Sequence, residues 1–209
     1  MLTNRDIEII EFIKEFKLLS SSQIQRLFNM TQPKTSKRMN YIVENIKEVK
    51  KYRYNPTNNF YTDKYRNILK NENVYYYNKK PSAIMHDLLT NEVYLYLKER
   101  FDIIAFEKEY RISMDDEFVV RADVYFVMQH ENKEYEFLIE VENNKSFNNY
   151  KYNKLLDQGY IAPPIIVISD RRAYGTKGLD IIKTRLNMSD LENKIKQYII
   201  ESEFGYKIN

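Results

Sequence analysis

Hydrophobic residues recur at helical spacing through the first fifty positions and predict three short helices. The first is NRDIEIIEFIKEFKLL (4–19), with Asn4 as its N-cap. The second is SSSQIQRLFN (20–29), which starts with serine caps. The third is TQPKTSKRMNYIVENI (31–46), with a threonine cap and a proline in its first turn. The predicted inward positions of the first helix are Ile7, Ile10, Phe12, Ile13, Phe16 and Leu19.

An alternating run follows the helices and predicts a β-hairpin. This run is VKKYRYNPTNNFYTDKY (49–65), and Asn-Pro-Thr-Asn-Asn interrupts it. Three short helices and a basic hairpin are typical of a winged helix-turn-helix, here over residues 1–80. Its third helix enters the major groove, and basic, hydroxyl and aromatic side chains suit base edges and phosphates. The predicted DNA-binding residues of the helix and the hairpin are Lys34, Thr35, Lys37, Arg38, Tyr41, Lys50, Lys51, Arg53, Asn58 and Asn59.

The distribution of charge supports a polyanion partner. Residues 1–80 hold 16 Lys/Arg and 8 Asp/Glu, a net charge of +8, whereas the remainder holds 17 and 22, a net charge of −5. Residues 1–30 balance at four of each sign, so the whole excess falls in residues 31–80. A basic segment of this kind indicates double-stranded DNA as the partner, with a solvated basic face as the alternative.

The later part of the chain predicts a mixed α/β domain. A long helix, SAIMHDLLTNEVYLYLKER, forms a predicted connecting segment over residues 81–100. Over residues 101–209, strands IIAFEKEYRI, EFVVRADVYFVM and EYEFLIEVE precede the helix NNYKYNKLLDQG and the apolar strand PPIIVISD. Two helical stretches, GLDIIKTRL and SDLENKIKQYIIESEF, are predicted to close the chain.

Strand alternation predicts a pair of facing carboxylates. If HENK (130–133) is a hairpin loop, residue 129 pairs with 134, and the same register sets Asp123 opposite Glu140. Two such carboxylates need a compensating cation. Magnesium held by carboxylates and water is one candidate, and Lys151 or Lys154 of the following helix is another. The spacing does not separate a magnesium nuclease site from a structural ion-pair network. Alternation also groups Ala122 with Val124 on the opposite face.

These residues resemble the restriction-endonuclease-like core, or PD-(D/E)xK core, in RAD (121–123), FLIEVE (137–142) and the helix with the two lysines. The whole chain, from LTNRDIEIIEFIKEFKLLSSSQIQRLF through KKPSAIMHDLL, resembles the replication-relaxation proteins of Gram-positive plasmids and phages. That resemblance implies a winged helix-turn-helix joined to a divergent nuclease-like α/β domain. It implies that Asp123 and Glu140 bind Mg²⁺ and that Lys151 or Lys154 is a displaced catalytic lysine. Glu142 is added as a predicted third ligand of that ion.

Glu142 stands where the endonuclease pattern has its lysine. Its negative charge weakens attraction for phosphate, so we expect an inactive nuclease-like domain. The expected function is sequence-specific DNA binding for a plasmid, phage or integrative element, in replication, conjugative transfer or transcriptional regulation. The alternatives are a Mg²⁺-dependent endonuclease targeted by the winged domain, and a protein-interaction module that does not bind DNA.

Composition also predicts where in the cell the protein acts. The chain has no Cys, no signal pattern at its start and no long apolar run. We therefore expect a cytoplasmic bacterial protein that is associated with plasmid or nucleoid DNA and not with a membrane. Because most such DNA readers bind paired half-sites, a homodimer is expected, with relaxosome or replication proteins as possible further partners.

Overall fold

The computed structural model describes residues 1–55, 72–114, 117–142, 147, 150–171 and 178–203, with the side chains at 114 and 117–119 excepted. The predicted DNA contact Asn58 lies outside the described residues. The chain forms two compact units, Met1–Leu95 and Tyr96–Asn209. It is a mixed α/β protein, as predicted. Within the described residues, none of the helices has the length and apolar character needed to cross a membrane.

The first unit combines helices with a small antiparallel sheet. The sheet has the strand order β1-β3-β2, and α4 continues across the boundary between the units. In chain order the elements are α1 (Asn4–Glu15), β1 (Leu18–Ser20), α2 (Ser21–Phe28), α3 (Gln32–Asn45), β2 (Val49–Tyr54), β3 (Glu72–Tyr77) and α4 (Ile84–Lys98).

Capping boxes fix the starts of the first two helices. Thr3, and not the predicted Asn4, caps α1: its hydroxyl accepts from the backbone N–H of Asp6, whose carboxylate accepts from the Thr3 N–H. Ser20 and Gln23 form the same arrangement at α2, which confirms the predicted serine cap. Helix α2 ends at Asn29, whose left-handed φ of 48° turns the chain toward α3.

The first helix is shorter than its sequence pattern predicts. It ends at Glu15, and Lys17 takes a positive φ of 65°, so Leu18 and Leu19 enter β1 instead of continuing the helix. Both leucines are almost fully buried. The helix turns Ile9 into the core and leaves Ile7 half-exposed, which corrects the predicted inward face.

Helix α4 is buried on nearly all sides through its middle. Asp87 to Val93 are all buried, including four polar residues, so a one-sided apolar stripe does not describe it. The polar residues are satisfied: the Asn91 amide donates to the Leu18 carbonyl at 2.6 Å. The Glu92 carboxylate accepts from the Gln23 amide at 2.9 Å and from Arg26 at 2.5 Å. This network joins α2, β1 and α4.

The second unit is built on a five-stranded mixed sheet of order β10-β9-β8-β7-β4. Strands β4, β7 and β8 are antiparallel, β8, β9 and β10 are parallel, and β5 and β6 form a separate hairpin. A register shift interrupts β4 between Ile103 and Ala105. The elements are β4 (Asp102–Lys108), β5 (Arg111–Met114), β6 (Glu117–Arg121), β7 (Val124–His130), β8 (Lys133–Val141), α5 (Tyr150–Asp157), β9 (Ile165–Ile168), β10 (Ile181–Thr184) and α6 (Leu191–Glu203).

Both faces of this sheet are covered. On one face, Leu138 packs with Tyr152 and Leu155 of α5 and with Val120 of β6. On the other, Phe137 stacks on Phe126 at 5.1 Å and meets Tyr198 of α6 at 5.8 Å.

Some predictions for this unit are wrong. The runs IIAFEKEYRI and EFVVRADVYFVM, each predicted as one strand, divide into β4 and β5 and into β6 and β7. The stretch GLDIIKTRL contains strand β10, not a helix. Ala122 lies in the cluster of the α5 face and not with Val124, because Ala122 and Asp123 separate β6 from β7 and interrupt the alternation.

Candidate functional site

The predicted carboxylate pair lies where β7 begins and β8 ends. Gln129 pairs with Glu134 and Val124 with Ile139, which confirms the predicted register. One further step in that register sets Asp123 opposite Glu140. The Asp123 carboxylate accepts a hydrogen bond of 2.7 Å from the backbone N–H of Val141. The pair is therefore fixed by strand pairing and by a backbone contact.

Glu140 is the buried member of the pair, with 2% of its surface exposed. Its Oε1 accepts hydrogen bonds from the Tyr152 hydroxyl and from Lys151 Nζ, the latter at 2.6 Å. Burial and then the charge of Asp123 raise the pKa of Glu140 to about 7, against the opposing effect of Lys151 and Tyr152. Burial and the Glu140 charge also raise the pKa of Tyr152, so its hydroxyl stays a hydrogen-bond donor.

The compensating lysine is Lys151. Besides Glu140, its ammonium contacts the carbonyl oxygen of Arg121 at 3.0 Å, so it ties the first turn of α5 to β6 and β8. Lys154, the other candidate, is exposed one turn later on α5. Tyr152 was not predicted as part of the site. Its only signal in the sequence is its position beside Lys151 in the run NYKYNK.

The side chains at this site do not form a preformed magnesium site. Oε1 of Glu140 already accepts hydrogen bonds from an ammonium and a phenol. Across the part of the chain that the structure describes, no group of three His, Cys, Asp or Glu side chains is placed to hold a metal. Glu142, the predicted third ligand, is half-buried after the end of β8, and its N–H donates to Ile168. The prediction of a three-carboxylate set is therefore wrong.

A second candidate site is a basic surface on α3 and β2. Lys34 and Lys37 are exposed on α3, and Lys51 and Arg53 are exposed on β2. Lys51 Nζ donates to Asn40 Oδ1 at 3.2 Å, and Asn40 lies one turn after Lys37 on α3. The helix and the strand therefore present one continuous face. We call this face the α3–β2 surface, and its residues are Lys34, Lys37, Asn40, Lys51 and Arg53.

Lys50 is exposed but lies outside this surface. Strand alternation sets it with Tyr52 on the other side of β2, where Lys80 Nζ lies 3.2 Å from the Tyr52 ring centroid. Asn40 was missed by the sequence prediction, although its position three residues after Lys37 is a usable signal.

Thr35 was predicted to face DNA, and this prediction is wrong. Only 1% of its surface is exposed, and its hydroxyl donates to the Thr31 carbonyl at 3.0 Å. Thr35 precedes Met39 by four residues and Ile42 by seven, which places it on the buried face of α3. Its polar side chain is satisfied within the helix, so burial does not leave it unpaired.

Arg38 has a different role from the predicted one. Its guanidinium donates to both carboxylate oxygens of Asp6, which is fully buried, and packs over the Tyr41 ring at 4.7 Å. Burial opposes the effect, but the Arg38 and Thr3 hydrogen bonds lower the pKa of Asp6 to about 2. Arg38 therefore joins α3 to the start of α1, and Tyr41 lies half-buried beneath it.

Comparisons with known proteins returned no match: no family model, no curated protein and no solved structure matches the chain. The resemblance to replication-relaxation proteins therefore depends on its motifs alone. Function has to be argued from the α3–β2 surface and from the Glu140 site.

Proposed function

We propose that this protein is a sequence-specific double-stranded DNA-binding protein of a bacterial plasmid, phage or integrative element. It acts as a replication or conjugative-transfer accessory factor, or as a transcriptional regulator. The observation that carries the proposal is the α3–β2 surface, which consists of four exposed cations and an exposed asparagine. These four cations suit the phosphate backbone of a duplex.

The order of elements supports a winged helix-turn-helix for the first unit. Three helices followed by the antiparallel strands β2 and β3 are the elements that such a domain needs. The partner of β2 is Glu72–Tyr77, which lies beyond the hairpin predicted over residues 49–65, and β1 was not expected from the sequence. In such a domain α3 enters the major groove, and β2 and β3 flank the backbone. The outward position of Lys37 and Asn40 on α3 is compatible with that placement.

The chemistry of the surface separates the roles of its residues. An asparagine amide forms two hydrogen bonds with adenine in the major groove, so Asn40 is the residue suited to reading a base. Lys34, Lys37, Lys51 and Arg53 supply point charges or a guanidinium for phosphates, which set register and affinity but carry no sequence information. Sequence specificity is therefore assigned chiefly to Asn40.

The second unit is proposed as a divergent nuclease-like domain without nuclease activity. Glu140, Lys151 and Tyr152 neutralise and satisfy one another in a buried site. Lys151 is held by this contact and by the Arg121 carbonyl, so it does not face an incoming phosphate as a free charge. The unit then serves as a scaffold and a surface for relaxosome or replication proteins.

DNA selection followed by salt titration tests the proposal. Duplexes bound from a random pool should converge on one sequence, and affinity for that duplex should fall steeply with salt. Lys37→Ala and Lys51→Ala should each flatten the slope of log K against log[salt] by about 0.9. Asn40→Ala should leave that slope unchanged and relax the preference at one base pair.

Lys196→Ala is the matched control, since Lys196 is an exposed lysine of α6 in the other unit. The proposal fails if the selected pool stays random. It also fails if Lys37→Ala and Lys51→Ala bind as tightly, and with the same salt slope, as the Lys196→Ala control.

A Mg²⁺-dependent endonuclease is the second candidate, favoured by the register that brings Asp123 opposite Glu140 beside a lysine. Incubation of supercoiled plasmid with the protein and Mg²⁺ or Mn²⁺ separates the two functions. The DNA-binding proposal expects intact plasmid. Nicking or linearisation that disappears in an Asp123→Ala/Glu140→Ala variant would establish the nuclease.

A further inference from the structure

Two arginines face each other at the base of the β5–β6 hairpin. Arg111 and Arg121 are direct cross-strand partners, and the next pair inward is Ile112 with Val120. Both members of the inner pair are buried in the core, so alternation turns both guanidinium groups to the exposed face. Like charges directly opposite each other on one face of a hairpin repel. An anion bound between the two guanidinium groups would remove this repulsion.

The described residues supply little compensation for this repulsion. A carboxylate oxygen of Glu109 lies 3.8 Å from the Arg121 guanidinium, and both side chains are about half exposed. Such an exposed contact is weak in water. Within the described part of the chain, Arg111 forms no side-chain ion pair. Among the described residues, the charge of the arginine pair is therefore only weakly compensated.

Helix α5 adds to the positive charge here. The contact of Lys151 with the Arg121 carbonyl places the first turn of α5 beside the end of β6. Lys154, one turn later, is exposed. These cations contrast with the net negative charge of their unit, because residues 96–209 hold 17 Lys/Arg and 20 Asp/Glu. We call Arg111 and Arg121 the hairpin patch.

We propose that the hairpin patch is a second DNA contact, which binds the phosphodiester backbone of the duplex. The inference rests on the proposed function for the identity of the polyanion. Guanidinium groups match phosphate oxygens with paired N–H donors, and a phosphate between two facing arginines removes their repulsion. The contact reads no bases, so it increases affinity for every sequence alike.

The experiment measures duplex affinity of the full chain between about 50 and 200 mM salt, on a selected and on a scrambled duplex. We expect Arg111→Ala/Arg121→Ala to flatten the salt slope by about 2 and to weaken both duplexes by the same factor. Lys196→Ala is the control, because its exposed fraction of 51% is close to the 56% of Arg121, and α6 covers the other face of the sheet.

Thermal unfolding separates a binding role from a structural one. Removing two repelling charges should leave the melting temperature of Arg111→Ala/Arg121→Ala unchanged or higher, whereas arginines that hold the hairpin together would lower it. Arg111→Lys/Arg121→Lys should retain most of the salt slope, since the charge persists. A lower melting temperature in the alanine variant, together with a wild-type slope, overturns the inference.

The outcomes for this patch and for the α3–β2 surface differ. If Lys37→Ala flattens the slope while the double arginine variant does not, the proposed function stands and the second contact is wrong. If the arginine variant alone flattens it, the second contact stands and the α3–β2 surface is wrong. If the wild-type chain binds no duplex at low salt, both are overturned.

Discussion

The neighbouring cations Lys37 and Arg38 of α3 lie in different surroundings. Lys37 is exposed on the α3–β2 surface, whereas Arg38 forms two hydrogen bonds with buried Asp6. A sequence pattern that groups them as DNA contacts cannot separate them, because Asp6 is 32 residues away in the chain. The pair gives a direct comparison between a binding residue and a structural one.

Arg38→Ala should lower the free energy of unfolding by about 1–3 kcal/mol, because it leaves the Asp6 carboxylate buried without its cation. Lys37→Ala should change it by less than about 0.5 kcal/mol. Urea unfolding at neutral pH measures both. Equal stability in the two variants would contradict the assigned role of Arg38.

The same ion pair has a defined acid dependence. The pKa of Asp6 is lowered to about 2 in the folded protein, from an ordinary value of 3.8. A lowered pKa stabilises the fold above the unfolded value, and that stabilisation is lost as pH falls through the folded value. It should therefore be complete above about pH 4 and lost toward pH 2.

The pH dependence of stability that Glu140 contributes has the opposite sign to that of Asp6. Because burial raises its pKa from 4.5 to about 7, the folded state binds its proton more tightly than the unfolded state does. Stability from this group is complete below about pH 4.5 and is lost as pH rises through 7. In Glu140→Gln this dependence is absent, so the stability of the variant relative to wild type should rise by up to about 3 kcal/mol between pH 4.5 and 7.

Urea titrations at half-unit pH steps measure that difference, with Glu134→Gln, an exposed position on the same strand, as the control. A constant difference between Glu140→Gln and wild type across this range would show that Glu140 is not the buried titrating group described here.

At the level of elements, local sequence patterns predicted the helices and the strand register that local interactions determine. Helix α2 was predictable from its serine cap, and α3 from helical spacing and the proline in its first turn, although the Thr31 side chain makes no capping hydrogen bond. The β7–β8 register was predictable from a hairpin loop and alternation. Strands β1 and β10 were missed because their partners are distant in sequence. Leu19 pairs with Tyr75, and Ile182 pairs with Ile166. Both segments fit helical spacing when considered alone.

Part of the candidate site was likewise predictable from local sequence patterns, and part was not. The Asp123–Glu140 juxtaposition was predictable from alternation within one hairpin. The choice of Lys151 over Lys154, and the part played by Tyr152, depend on how α5 lies across the sheet, which spacing alone does not fix. The burial of Thr35 depends on which face of α3 the other helices cover.

Gln23 connects two elements and provides a test at that scale. Its side chain accepts from the Ser20 N–H, which completes the capping box, and donates to the Leu88 carbonyl and to Glu92, both at 2.9 Å. Gln23→Ala should destabilise the protein by about 2–3 kcal/mol, because it removes a cap interaction and leaves buried polar atoms of α4 unpaired.

Gln25→Ala is the matched control on the same helix, since Gln25 makes one side-chain hydrogen bond, to Ser21 of its own first turn. We expect a change below about 0.5 kcal/mol for this variant. Comparable losses in thermal or urea unfolding for the two variants would contradict the role given to the α2–α4 network.

For the whole molecule, we expect a homodimer that binds paired half-sites. Light scattering should give about twice the chain mass of 25.4 kDa. Footprinting should show two protected segments whose centres lie about 10–10.5 base pairs, or a multiple of that, apart, since each protomer presents one α3. A monomer mass with a single short footprint would contradict this prediction.

Strand β4 lies at one edge of the five-stranded sheet, and its shape affects how two copies of the protein can associate. In β4 the register shifts between Ile103 and Ala105, and a charged residue stands at each end, Asp102 and Lys108. An irregular strand with charged ends is a poor template for a further strand. Backbone pairing between the β4 strands of two copies is therefore disfavoured. At high concentration the protein should have little tendency to form a continuous intermolecular sheet.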